Sequence, residues 1–451
     1  MLKPTIFREY DIRGIAETEL QDADIHDLGM AIGTYLQRHT GKNINLGRDC
    51  RLSSDRLRNA LIGGLKTSGC QVVDIGIAPT PVLYYSAFHL KSDGAVMITG
   101  SHNPAEYNGF KVVSGAATIH GSQIQEVRSL IEKRDFLSGE GTEKSADVVT
   151  PYVAEISSQF HFVRRVKVVF DAGNGTAGPV MKRIAAKLNI DATELFFDMD
   201  GRFPHHHPDP TVPKNLAHLI AAVQEKGADL GIAFDGDSDR IGAVDENGEV
   251  VYGDQLMIVY AREILSRKPG ATIIGEVKCS QTLYDDIRQH GGNGIMWKTG
   301  HSLIKAKMKE EHAELAGEMS GHMFFADRYY GFDDALYAAC RLIEIVANSG
   351  RPLSAQLADV PQTVSTPEIR VDCPDEVKFE VVERVTGHFR NRYPVLDVDG
   401  VRVLFPHGWG LLRASNTQPV LVLRFEATTP KLLEQYRREV ETAVERLRVI
   451  E

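Results

Sequence analysis

The chain has 451 residues, 43% hydrophobic and 25% charged, an ordinary globular composition. Lys+Arg 51 against Asp+Glu 61 leaves a formal net charge of −10, without the basic footprint of a nucleic-acid binder. No apolar run approaches the ~20 residues that cross a bilayer, and five scattered cysteines (Cys50, Cys70, Cys279, Cys340, Cys373) form no C-x-x-C pair, which argues against a disulfide scaffold or structural zinc site.

At about 100–200 residues per domain the length predicts two to four domains. The first ten residues lack the apolar core of a signal peptide, so a cytoplasmic location is expected. Phe7-Arg8-Glu9-Tyr10-Asp11-Ile12-Arg13-Gly14 concentrates rings and charges; Arg13 is either an anion ligand or a surface partner of Asp11. A helix is expected over about residues 24–38 from its apolar spacing. Ile44-Asn45-Leu46 ends in the charged loop Gly47-Arg48-Asp49, and Ser53 or Ser54 is placed to cap the next helix. Val72-Val73-Asp74-Ile75 reads as a strand, and Pro79-Thr80-Pro81 opens a helix.

Gly94-Ala95-Val96-Met97-Ile98 reads as a buried strand of a parallel sheet, ending in Thr99-Gly100-Ser101-His102-Asn103-Pro104. Open α/β sheets bind ligands at the carboxyl ends of their strands. Ser101 is therefore a candidate nucleophile carrying a phosphoryl group; the competing reading is a helix N-cap, which the loop alone favours. Asn108-Gly109 marks a tight turn, with Lys111 able to reach back to the Ser101 loop.

A polar, glycine-rich stretch over residues 138–145 marks a first boundary. Val166–Phe170 is a strand followed by Asp171-Ala172-Gly173-Asn174-Gly175-Thr176-Ala177-Gly178. That matches G-x-G-x-x-G and admits a nicotinamide-dependent oxidoreductase, although tight strand–helix packing explains the glycines better. His205-His206-His207, bounded by prolines, reads as a rigid surface loop. After the strand Leu230–Phe234 comes Asp235-Gly236-Asp237-Ser238-Asp239-Arg240, where three alternate carboxylates can converge on one hard cation. Arg240 stands where an EF-hand needs glycine, so a Mg²⁺ site on an α/β sheet is the better reading.

A second boundary falls near residues 250–254. Thr272-Ile273-Ile274 leads to Gly275-Glu276-Val277-Lys278, Lys298-Thr299-Gly300-His301 is a cationic loop, and Leu315-Ala316 runs into Gly317-Glu318-Met319-Ser320-Gly321-His322. Paired strand–loop units recur at residues 45–49 with 95–104, 166–175 with 230–240, and 272–278 with 314–322, suggesting three related α/β units. Beyond residue 352, antiparallel strands near residues 368–371, 401–405 and 420–425 precede a helix from about Pro430. Arg413-Ala414-Ser415-Asn416-Thr417-Gln418-Pro419 offers a guanidinium, hydroxyls and an amide as a phosphate cradle. The expected fold is three related α/β domains with mixed sheets and a smaller C-terminal α+β domain around a central cleft, bounded at 1–147, 148–250, 251–362 and 363–451.

Taken together, FREYDIRG, TGSHNP, YNGFK, DGDSDR, KTGHS, GEMSGH and RASNTQP resemble the α-D-phosphohexomutase family over nearly the whole chain, and within it the bacterial phosphomannomutase/phosphoglucomutase group. The resemblance implies interconversion of hexose 6-phosphates and 1-phosphates through a phosphoserine at Ser101 and a hexose 1,6-bisphosphate, which also serves as activator. It implies Mg²⁺ on Asp235, Asp237, Asp239 and Ser101. Arg13, Lys111, Arg240 and His301 would be catalytic, with Lys111 and His301 candidates for proton transfer. Tyr10, His102, Lys278, Glu318, Ser320 and His322 would bind the sugar, and Arg413, Ser415, Asn416 and Thr417 its second phosphate. Ser238 departs from the family glycine and would be strained if that position has positive φ. Small-molecule hexose phosphates are the expected partners, with no nucleic acid and no membrane, in a monomer or homodimer. A glucosamine phosphate mutase and a non-catalytic sugar-phosphate sensor are the alternatives.

Overall fold

The computed structural model describes residues 2–416 and 418–448. Four sheets organise it. The first carries, side by side, Gln71–Ile77, Asn43–Arg48, Gly94–Ile98 and Tyr107–Ser114; three are parallel and the last is antiparallel. The second repeats that order with Asp191–Leu195, Lys167–Asp171, Leu230–Phe234 and Ile241–Asp245. The third does so with Asn293–Trp297, Thr272–Glu276, Leu315–Gly317 and Met323–Phe325. Each first-in-chain strand feeds a helix: Ser54–Thr67, Ala177–Lys187 and Gln281–Gln289. The recurrence expected from the strand–loop pairs is thus a shared topology. Its consequence is positional, because the loop after the third-in-chain strand falls at the same place in every unit.

The fourth sheet is antiparallel through its long strands Val401–Phe405, Gly408–Ala414 and Val420–Ala427, covered by Lys378–Arg390 and Pro430–Leu447. It has its own apolar core, including Val385, Phe389, Leu412, Phe425 and Val440. A larger core runs unbroken from Val82 through Phe170 and Leu256 to Leu336, so the first three units share one interior. Three α/β units of mixed sheet plus a smaller α+β unit are therefore what the chain forms.

Local expectations need correction at two places. Asn108-Gly109 is no turn but lies within the strand Tyr107–Ser114. Its glycine is demanded by the neighbouring strand, since a Cβ at Gly109 would stand 2.5 Å from the Ile12 carbonyl oxygen. Neither Ser53 nor Ser54 caps its helix; Ser54 Oγ instead donates to Asp49 Oδ1 at 2.6 Å.

The glycine turn after Asp171 is filled by protein. A Cβ at Gly175 would stand 2.7 Å from Gly236 O, and one at Gly178 2.2 Å from Phe197 O. The N–H groups of Gly173, Asn174, Gly175 and Thr176 all donate within the chain. None is left for a pyrophosphate, so the packing reading holds. The histidine loop is less superficial than expected. His206 Nε2 lies 3.1 Å from Oδ2 of the fully buried Asp171. His205 Nδ1 pairs with Asn174 Oδ1 at 2.7 Å, its ring stacked on Phe196.

Burial pushes the His206 pKa down, but Asp171 outweighs it and leaves it above 6.5. A raised histidine contributes stability that is complete below its unfolded pKa of about 6.5 and fades as pH rises through the folded value. The melting-temperature deficit of His206→Gln should therefore be largest near pH 6 and shrink on going alkaline. A deficit that is constant across that range would assign the loop's stability to packing instead.

Candidate active site

The third-strand loops of the three α/β units meet. Ser101 Oγ from the first donates to Asp235 Oδ2 of the second at 2.7 Å, and Asp239 Oδ1 of the second lies 3.2 Å from His322 Nε2 of the third. No helix follows Ser101, which removes the capping reading; the chain turns into the strand that begins at Tyr107. Oγ has one proton, so the donation to Asp235 leaves His102 Nδ1, 3.1 Å away, to act as donor towards it.

Asp235, Asp237 and Asp239 are each fully buried, with ligand-capable oxygens within 4.8 Å of one another. Burial and the two other carboxylates push Asp235 well above the usual carboxylate range. For Asp239 burial acts the same way, but Lys111, His322 and Arg240 outweigh it and hold it low. Lys111 Nζ donates to Asp237 Oδ2 at 2.7 Å and to Asp239 Oδ2 at 2.5 Å. The reach towards the Ser101 loop expected of it therefore ends on the acidic loop. Thr80 Oγ1 adds a 2.6 Å bond to Asp237 Oδ2, while Asp237 Oδ1 is buried without a hydrogen-bond partner among the described residues. Three converging carboxylates with an orphaned oxygen fit a hard divalent cation. Ser238 does adopt positive φ, +67°, and its Oγ pairs with Thr176 Oγ1 at 3.1 Å.

In the third unit Glu318 Oε2 meets His322 Nδ1 at 2.7 Å, and Ser320 Oγ lies 3.2 Å from the same nitrogen. Burial pushes Glu318 up, yet His322, Lys278 and the Gly300 N–H outweigh it and set its pKa at about 2. Arg240 Nε is 3.3 Å from His322 Nε2. The imidazole is raised to about 9 against its burial, chiefly by Asp239, so Nε2 carries a proton towards Asp239 and Arg240 is a close neighbour, not its donor. His301 stands with its ring centre 5.6 Å from that of His322. Burial and the positive charges of Lys305 and Lys111 keep it neutral.

The fourth unit arrives from the other side. Tyr10 OH donates to Thr299 O at 2.8 Å and accepts from Asn416 Nδ2 at 2.7 Å, joining first, third and fourth units at one phenol. Arg413 Nε donates to Asp399 Oδ2 at 2.9 Å, and the same oxygen takes the Thr299 N–H at 3.1 Å. Lys278 Nζ lies 3.5 Å from Glu368. Ser415 is buried in the same turn as Arg413; Thr417 lies outside the described residues. Arg13 donates to Asn103 Oδ1 at 2.5 Å and also pairs with Asp11, so the ion-pair reading is met.

Several supporting residues were not among the sequence candidates. Glu276, fully buried, accepts from Thr299 Oγ1, Lys278 N and Met319 N and so ties three loops together. Lys378 Nζ donates to Ser415 O and Gln418 O beneath the segment that follows Arg413. Asp333 Oδ1 accepts from Lys305, while its Oδ2 faces His301 Nδ1 at 3.8 Å. Asp49 and Arg51 hold the Ser101 loop. The usable signal was position: Asp49, Arg51 and Glu276 end or follow the first strand of a unit, beside the loop they support.

A buried hydroxyl beside a cation-ready acidic loop, with sugar-compatible polar groups opposite, defines a phosphoryl-transfer enzyme built from four units. Four consecutive segments match the descriptions "Phosphoglucomutase/phosphomannomutase, alpha/beta/alpha domain I" (residues 4–138), domain II (150–248), domain III (252–364) and "C-terminal domain" (368–443). The phosphomannomutase/phosphoglucomutase of Pseudomonas aeruginosa is 46% identical over 435 residues, covering 96% of this chain and 94% of that one. The phosphoglucomutase of Neisseria meningitidis serogroup A is 42% identical over 445 residues, covering 98% and 96%. A crystal structure of a phosphoglucomutase/phosphomannomutase family protein from Burkholderia thailandensis superposes with a TM-score of 0.94 at 43% identity, covering 99% of this chain and 98% of that one. The chain belongs to the phosphoglucomutase/phosphomannomutase family.

Lys111 is the counter-charge of the acidic loop, so Lys111→Met should destabilise the metal-free protein by about 3–5 kcal/mol, the cost of breaking a buried ion pair from one side. Urea unfolding with and without a divalent cation checks this. The cation should recover part of the loss, and equal stability of both proteins without metal would remove Lys111 from that role.

Proposed function

We propose that the protein is an isomerase that interconverts mannose 6-phosphate and mannose 1-phosphate, and likewise the glucose phosphates. The observation that carries this is the bond from Ser101 Oγ to Asp235, which puts a nucleophilic oxygen against the acidic loop. In its working form Ser101 carries a phosphoryl group. A free hydroxyl of the hexose phosphate attacks phosphorus; the new O–P bond forms, the Ser101 Oγ–P bond breaks, and the product is a hexose 1,6-bisphosphate. The attacking hydroxyl loses its proton and Oγ gains one, so the step as a whole neither takes up nor releases a proton. The bisphosphate then turns over in the cleft and returns its other phosphoryl group to Ser101. Free bisphosphate rephosphorylates the serine and so acts as activator.

Of the two proton-transfer candidates, His301 is better supported, being neutral with Nδ1 facing Asp333 and Nε2 left for the substrate. Lys111 is held as an ammonium by two aspartates and serves to balance charge. Asp235, Asp237 and Asp239 would hold Mg²⁺, which offsets the charge of the phosphoryl group in flight. Glu318, Ser320, His322 and Lys278 would read sugar hydroxyls, with His102, Arg13 and Arg240 around the phosphoserine. Arg413, Ser415, Asn416 and Thr417 would grip the other phosphate, Tyr10 closing the cleft over it. A cytoplasmic setting agrees with five unpaired cysteines, and among the described residues no helix is long and apolar enough to cross a membrane.

Ser101→Ala should lose turnover by about 10³-fold or more while still binding hexose phosphate. Intact mass should show one phosphoryl group on the bisphosphate-treated wild type and none on the variant; wild-type turnover without Ser101 would sink the assignment. Arg413→Ala should raise KM by about 10–100-fold with a smaller change in kcat, since a charge-assisted bond of about 1.5–3 kcal/mol is lost in ground and transition states alike. An unchanged KM with a collapsed kcat would count against a binding role.

A further inference from the structure

Ser101 sits in a backbone conformation its residue type disfavours, with φ +46°. Such a conformation costs on the order of 1–3 kcal/mol and persists only where surrounding structure dictates it. Much of that structure is one arginine, beside Thr99 Oγ1, which accepts the Ser101 N–H at 2.8 Å. Arg51 has a fully buried side chain. Its two terminal nitrogens donate to four carbonyl oxygens of the Ser101 loop: Nη1 to Pro104 at 2.5 Å and Tyr107 at 3.0 Å, Nη2 to Ser101 at 2.8 Å and Asn103 at 2.6 Å. Gly100 is what lets the loop close on it, since a Cβ there would stand 2.5 Å from the guanidinium carbon.

Asp49 holds the opposite edge. Its Oδ2 accepts the Gly100 N–H at 3.0 Å and lies 3.3 Å from Arg51 Nε, while Oδ1 accepts the Arg51 N–H at 3.0 Å. One amide of the loop and four of its carbonyls are thus gripped by one ion pair. The Phe203 ring of the second unit lies 5.1 Å from the guanidinium carbon, so the clamp is fixed from the same unit that bears the three aspartates.

A buried guanidinium whose bonds go mostly to carbonyls is an expensive way to fill space. An apolar side chain of similar volume would pack at lower cost, but it could not donate to four oxygens from one rigid fork. We propose that Arg51, with Asp49, is the positioning pair of the phosphoryl carrier, aiming Ser101 Oγ at the acidic loop. This rests on the reading of Ser101 as that carrier. The pair touches neither the sugar-reading loop nor the Arg413 turn, so its loss should fall on the chemical step.

The test is steady-state and single-turnover kinetics of Arg51→Lys, Arg51→Ala and Asp49→Asn. Lysine presents a point charge that cannot span four acceptors, and displacing a reacting group by about 1 Å costs about 10²-fold. Arg51→Lys should therefore lower kcat by about 10²-fold with KM for the hexose phosphate within about threefold. Phosphorylation of Ser101 by hexose 1,6-bisphosphate, followed by intact mass, should slow in parallel. Millimolar guanidinium ion should restore part of the Arg51→Ala activity. A merely structural arginine would instead lower the melting temperature, leave kcat per folded molecule within about twofold, and give no rescue; that result overturns the proposal. Should Arg51→Ala fail to fold, Arg51→Lys and Asp49→Asn decide the matter on the same criteria. If wild-type Ser101 takes up no phosphoryl group, the carrier reading falls and this proposal with it; normal wild-type uptake with unimpaired variants defeats the clamp alone.

Discussion

Three carboxylates buried at one point repel one another, and most of the site follows from how that repulsion is met. Asp235, Asp237 and Asp239 have no access to water. Two unit charges about 4 Å apart interact by about 4 kcal/mol even at an effective dielectric constant of 20. Beyond Arg240 of the same loop, the compensation comes from other units: the Ser101 hydroxyl, Thr80 and Lys111 from the first, and His322 from the third. Charge balance at the acidic loop therefore ties the three α/β units at their loop ends, while the shared apolar core ties them behind.

The repeated topology explains why the loops can be both polar and rigid. In each unit the loop after the first strand supports the loop after the third. Asp49 and Arg51 grip the Ser101 loop, Thr176 N donates to Gly236 O in the acidic loop at 3.1 Å, and Glu276 Oε1 takes the Met319 N–H beside Glu318. One device recurs three times with different chemistry, because the parallel strands bring those two loops side by side wherever the unit is built.

The fourth unit stands apart. Its core is separate, and its junction with the third is a small apolar cluster of Val277, Trp409 and Leu411. Arg402, stacked 3.8 Å over Trp409, donates across it to Val277 O and Cys279 O. Interfaces of this kind permit relative motion of domains. Beside the junction, Tyr10 of the first unit accepts from Asn416, and the Thr299 N–H of the third donates to Asp399 of the fourth.

Much of this is legible in the chain itself. Apolar runs that end in polar loops give the strands that carry the site loops, and the D-x-D-x-D spacing gives an acidic loop fit for a cation, because both rest on local periodicity. The reading of Gly173–Gly178 as packing is legible for the same reason: a lone glycine pattern says no more than that backbone comes close. Other features lie beyond local rules. Asn108-Gly109 carries a strong turn signal, yet the sheet overrides it, since Ile12 O leaves no room for a Cβ and the strand pairs on both sides. Lys111 reads as a partner of the Ser101 loop but is drawn to two aspartates over a hundred residues away. Arg51 looks like one more loop arginine, because nothing in its neighbours announces four carbonyls that converge on it from residues 101–107. Spacing along the chain fixes which groups exist and which elements carry them; burial and long-range charge, which exist only once the units are packed, settle which groups meet and in what ionisation state.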